Sequence, residues 1–165
     1  MPRDVREVAN AVLDCAEGAG YRLTNLALNK VVYFVHAWFL AQYAEPLVDS
    51  KFEAWQYGPV HPQIYRQMKR FREQPIDGRL TKIDLDSGED VPFAVCLSER
   101  EREVVERVTL FYARHSASKL VQISHEPGAP WDQVWSSAES TACPGMEIPD
   151  QVTESYYRGK LAKRS

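Results

Sequence analysis

The chain has 165 residues, 44% of them hydrophobic and 26% charged, with a formal net charge of −3. That length favours one domain whose core needs no disulfide or metal staple, and the composition excludes a disordered tail, a collagen and a long charged coiled coil. The acidic balance weighs against a generic nucleic-acid binder, while 4 Trp and 8 Tyr supply plentiful anchors for a protein interface.

The first eighteen residues, MPRDVREVANAVLDCAEG, carry charge early and hold no continuous apolar run, so no signal peptide is expected. The longest apolar stretch, 31–41, is interrupted by His36 and is shorter than the ~18 residues a membrane span needs. A cytoplasmic protein is expected. Cys15, Cys96 and Cys143 are scattered and odd in number, which predicts buried thiols in a reducing compartment.

Asp4 followed by Glu7 is a start signal for a first helix, with Val5, Val8, Ala9, Val12 and Ala16 at helical spacing until Gly18 and Gly20. Thr24 caps a second helix running to about residue 43, apolar on nearly every side and therefore central. The segment after Pro46 is extended, turns at Gly58-Pro59, and enters a third helix over 62–72, with Pro62 in its first turn. Alternation over 81–85 and 91–97 around the turn DSGED reads as a β-hairpin, with 51–56 an additional strand of the same sheet. Ser98 and Glu101 form a capping box for a helix whose core face is Val104, Val108 and Phe111. Ser116 or Ser118 opens a shorter helix, Pro130 another with Trp131 and Trp135 one turn apart, and Pro149 a last one with Val152, Tyr156 and Gly159 inward. The fold expected is mainly α: one compact domain over 1–165 with a small antiparallel sheet or hairpin, its second helix the most buried element and its basic end, 158–165, frayed.

Little catalytic or metal chemistry is written in the pattern. The four histidines and three cysteines lack the close pairs of structural zinc sites, so no metal or other cofactor is expected. There is no nucleophile elbow, no H-E-x-x-H and no phosphate loop. Arg66, Lys69, Arg70 and Arg72 make a dense basic patch that suits either phosphates or an acidic protein. Lys30 sits on an apolar helix, where a buried amine needs a partner or an opening; Glu53 is one such partner. Trp55, Tyr57, Gly58, Pro59 and Tyr65 form the most unusual local cluster, read as scaffold.

Three stretches together resemble the Panacea domain family, which includes the SocA-like antitoxins. They are LALNKVVYFVHAWFLA, with Lys30 and Tyr33; FEAWQYGPVHPQIY, with Trp55, Tyr57, Gly58, Pro59 and Tyr65; and ISHEPGAPW, with His125, Pro130 and Trp131. Val31 and Val32 replace the usual leucines and Phe39 a common polar position, with the apolar character kept. The resemblance implies a non-enzymatic antitoxin that binds and neutralises a cognate protein toxin, and in the SocA-like branch a proteolytic adaptor that presents the toxin to a ClpXP-type protease. Direct steric inhibition is the alternative within that class. From other classes, a small hydrolase using Lys30, Tyr57 and His125 and a DNA-binding regulator using 66–72 stay open. For a toxin-binding role the partner surface is expected on Tyr65, Arg66, Lys69, Arg70, Phe71 and Arg72 and on Tyr156, Tyr157 and Arg158.

Overall fold

The computed structural model describes residues 1–137 and 146–164; Cys143 and Ser165 lie outside them. In chain order the elements are α1 (Val5–Gly18), α2 (Asn25–Tyr43), β1 (Glu53–Trp55), β2 (Gly58–Val60), α3 (Pro62–Met68) with a tight helical turn at Lys69–Phe71, β3 (Thr81–Ile83), β4 (Asp90–Pro92), α4 (Glu99–Tyr112), α5 (Ala117–Ser124), α6 (Pro130–Ser137), β5 (Met146–Glu147) and α7 (Asp150–Lys163). The structure is mainly α with a minor antiparallel β part, as expected; among the described residues that part is divided between two small sheets. No helix among the described residues is long and apolar enough to cross a membrane.

Helix α2 is the axle. Sixteen of its residues are buried, among them Val31, Phe34 and Val35 with no exposed surface. Its principal neighbours are α7 and α4, with α1, α3, α5 and β2 around the remaining faces, the arrangement that a helix apolar all round requires. Aromatic and polar contacts fix the neighbours at set heights. Phe34 stacks on Tyr112 of α4 at 4.2 Å, and Trp38 Nε1 donates to the Tyr112 hydroxyl at 3.0 Å. Tyr33 shares a hydrogen bond with Thr153 of α7. His36 receives the Val48 N–H on Nδ1 and donates from Nε2 to the Asp150 carboxylate.

The caps are local and follow the sequence. Asp4, Thr24 and Ser116 each accept a backbone N–H in the first turn of their helix, and Ser98 with Glu101 forms the complete capping box. Glu7 departs from this scheme. Its carboxylate turns inward to take the Cys96 N–H rather than closing a box with Asp4, because that loop amide needs an acceptor.

Several tertiary expectations are corrected. Strand β1 does not join the 81–92 hairpin; it pairs with β2 and β5 in a separate sheet of order β2-β1-β5, while β3 and β4 pair with each other. Phe111 is 44% exposed, and Tyr112 takes the place assigned to it in the core. In α7 the inward residues are Thr153 and Tyr157 rather than Val152, Tyr156 and Gly159. The inward face lies one position on because Tyr33 and Trp38 offer partners for a hydroxyl and a ring edge. The end of the chain is helical through Lys163 rather than frayed from 158 onward: Lys160 binds Glu126 and Arg164 lies over the Trp38 ring. Cys15 is half-buried and Cys96 exposed, so neither is the sealed thiol expected.

Arg3 grips Glu101 through two parallel bonds of 2.9 and 2.8 Å, joining the start of the chain to α4. Burial alone would raise the Glu101 carboxyl, but the hydrogen bonds from Arg3 and Ser98 outweigh it and bring it down to about 2. A native value below the ordinary 4.5 contributes stability that is complete above that pH and lost as pH falls towards 2. We expect the unfolding free energy from urea titration to drop across that window, by at most about 3 kcal/mol, and Glu101→Gln to flatten the drop. Identical pH profiles for the two proteins would show that the pair contributes nothing.

Candidate functional site

The three motif stretches meet at one buried junction. Lys30 enters it from α2 with 0% of its surface exposed, and its Nζ donates to the Pro59 carbonyl at 3.0 Å. Glu53, expected as its partner, instead accepts from Trp55 Nε1 at 2.9 Å. With no carboxylate beside it among the described residues, the amine is pushed down by burial from 10.5 to about 7. A carbonyl is then a sufficient acceptor for it.

The carbonyl is aimed by the β1–β2 hairpin. Gly58 has φ +105, which side-chain-bearing residues rarely adopt. A Cβ there would stand 2.5 Å from Ser124 Oγ and 2.7 Å from Lys30 Cε. Glycine is required both for the turn and for the close approach of the backbone to α2 and α5. Ser124 closes α5 with its hydroxyl turned back to Val121 O. His125 follows as the cap and stacks on Trp131 at 3.7 Å with the rings 9° apart. Burial and the neighbouring Lys30 amine both lower the His125 pKa. Its Nε2 is buried and unpartnered among the described residues. Pro130 and Trp131 are buried at the start of α6, and Trp131 Nε1 donates to the Trp55 carbonyl at 2.6 Å. The third stretch thus clamps the second against the first.

The motif residues do not all enter this junction. Tyr33 lies on the α7 side of α2, against Phe52 and Tyr157. Trp55 is half-buried, with its ring edge-on to the exposed Tyr65. Tyr57, in the hairpin turn, is 59% exposed, so the scaffold reading does not extend to it. Of the three residues of the hydrolase alternative, Lys30 is sealed from solvent, His125 lies near enough for the Lys30 amine to lower its pKa, and Tyr57 is exposed.

The expected partner residues divide likewise. Tyr65, Arg66, Lys69, Arg70 and Arg72 are exposed on and just after α3, and Phe71 is half-buried beneath the Arg70 guanidinium. On α7 only Arg158 is freely exposed. Tyr156 is partly covered and donates to Glu126. Tyr157 is 4% exposed and belongs to the core against Trp38, so it is removed from the surface.

Sequence reading overlooked a polar shelf next to the junction. Asn29 Oδ1 accepts the His61 N–H while its amide binds Asn25. His61 caps α3 through Nδ1 and meets Ser50 Oγ with Nε2. Burial holds this ring neutral by lowering its pKa to about 4. The available signal was Asn29 itself, an amide next to Lys30 on an otherwise apolar helix, since a buried amide demands partners.

The profile described as "Antitoxin SocA-like, Panacea domain" matches residues 28–132, a span that contains the second and third stretches of the junction and the first from Leu28 onward. The chain belongs to this family. It is 39% identical over 155 residues to Antitoxin SocA of Caulobacter vibrioides (strain NA1000 / CB15N), covering 94% of this chain and 82% of that protein. No solved structure matches it.

Two substitutions test the junction. Gly58→Ala is expected to destabilise by about 2–5 kcal/mol, combining a strained φ with a clash; a melting temperature equal to that of the parent would refute the close approach. Lys30 binds fewer protons folded than unfolded between about pH 7 and 10.5, so stability should rise with pH across that window. Thermal melts should show this rise in the parent and not in Lys30→Met.

Proposed function

We propose that this chain is a cytoplasmic antitoxin without catalysis of its own, which binds a protein toxin and presents it to a ClpXP-type protease. The observation that carries the reading is the similarity over 94% of the chain to a protein named as an antitoxin. The junction geometry supports it. The motif's amine is sealed from solvent, it and the Trp131 ring N–H are bonded to the carbonyls of Pro59 and Trp55, and the outer faces are left for a partner. Buried motif groups of this kind build a platform rather than a reaction chamber.

Delivery and direct inhibition make different demands on the surface. A direct inhibitor must cover the toxin's working face, whereas an adaptor need only hold the toxin while a protease engages the pair. The test is to co-purify the chain with the product of the adjacent reading frame and then follow toxin turnover by a ClpXP-type protease. Turnover is expected to accelerate when the antitoxin is present. Unchanged turnover together with tight binding and restored activity of the toxin's target would favour direct inhibition, and absence of binding would end the antitoxin reading.

A further inference from the structure

Within the third helix stretch, Arg66, Lys69, Arg70 and Arg72 fall within seven residues. The fold extends this patch with residues remote in sequence. Between α3 and the β3–β4 hairpin lies a cleft of about 520 Å³ lined by Arg6, Arg66, Lys69, Arg70 and Lys82, with Asp90 the one acid in its wall. Some cations of the molecule are neutralised within the fold and others are not. Arg3, Arg79, Arg100, Arg107 and Lys160 each hold a carboxylate, and in the cleft Arg6 holds Asp4. Arg66, Lys69, Arg70 and Lys82 form no ion pair among the described residues; Arg70 rests on the Phe71 ring and Lys82 on the Phe93 ring. A chain of net charge −3 thus gathers unneutralised cations at one concave place, which draws in an anionic partner and speeds its encounter.

The wall chemistry selects among anions. Ile83 lines the cleft and is 63% exposed, so an apolar side chain of the occupant would be sheltered there. Beyond it the hairpin turn carries Asp84, Asp86 and Glu89, all acidic. A nucleic-acid strand leaving the cleft on that side would bring its phosphates against these carboxylates, and like charges in register oppose binding. A short peptide segment can end before them.

We propose that this cleft receives an acidic segment of the partner toxin, with carboxylates on Arg66, Lys69, Arg70 and Lys82 and an apolar side chain against Ile83. The inference rests on the toxin-binding reading above and assigns that reading a surface. The probe is the co-purified product of the adjacent reading frame, titrated calorimetrically against the parent chain, against Arg66→Glu/Lys69→Glu, and against Arg22→Glu/Lys119→Glu as a control of equal charge change outside the cleft. The cleft reversal is expected to weaken binding by on the order of tenfold to a hundredfold, the control by much less, and parent binding to weaken steeply with salt. If the reversal disturbs the melting temperature, the neutral pair Arg66→Gln/Lys69→Gln takes its place. Equal affinity of parent and cleft variant for the toxin overturns the assignment while leaving the antitoxin reading intact. Failure of the parent to bind the toxin removes both. Binding of a short duplex or single-stranded oligonucleotide that the reversal abolishes, with toxin binding unaffected, overturns it in favour of nucleic acid.

Discussion

The constraint from which the rest of the structure follows is a lysine amine sealed from solvent, with no carboxylate beside it among the described residues. Burying a full ammonium costs several kcal/mol. Here the cost is reduced because the folded state lets the amine titrate near neutrality and offers it one carbonyl, that of Pro59. A single acceptor at hydrogen-bond distance from the most buried helix leaves no slack. The hairpin must bring its backbone against α2, and only a residue without Cβ lets it do so at Gly58. The carbonyl just before the turn, that of Trp55, must itself be held from the other side, by Trp131. One difficult group therefore binds three distant segments into mutual dependence.

This organisation separates fold identity from surface function. Most of the family-defining residues are inside, bonded to each other, where substitution would be read as loss of the junction. Tyr57 and Tyr65 are exposed; Tyr65 meets the Trp55 ring, whereas Tyr57 makes no hydrogen bond or ring contact among the described residues, and nothing in the fold explains it. The exposed charges are free to vary around the closed interior. Several of those far from α3 are neutralised in pairs that are worth little individually at a solvent-exposed site.

What was legible in the sequence was local. Caps at Asp4, Thr24, Ser98 and Ser116 and the proline that opens α6 depend on residues within one helical turn, and each lies where the pattern put it. The junction stretches were legible as a set through their resemblance to the Panacea family, but their geometry was not. Lys30 was matched to Glu53 because opposite charges suggest a pair, whereas the nearer acceptor was a backbone carbonyl, which any sequence supplies and no side-chain letter announces. The inward face of α7 was misread because Val152 and Tyr156 look more apolar than Thr153; a threonine and a tyrosine are buried there because Tyr33 and Trp38 satisfy the one and pack on the other. Strand β1 was placed in the wrong sheet because pairing partners distant in sequence leave no periodic trace.

The junction also sets how the outer surface is presented. Helix α3 follows directly from β2, so the strand fixed by Lys30 delivers it. Its first turn is capped by His61, whose own N–H is held by Asn29 of α2, and its third residue-pair is tied back where Asn25 donates to the Tyr65 carbonyl. The facing hairpin is held as firmly. Asn10 of α1 bonds Leu80 in both directions and the Phe93 carbonyl as well, and Gln67 of α3 exchanges two bonds with Thr81. A helix and a hairpin anchored in this way carry their cations on backbone that is already ordered. Association then forfeits little backbone freedom, which trims the ordering cost that binding adds to its translational, rotational and desolvation costs. The buried amine acts at a distance here: by holding the turn that starts α3, it holds the charged face in place.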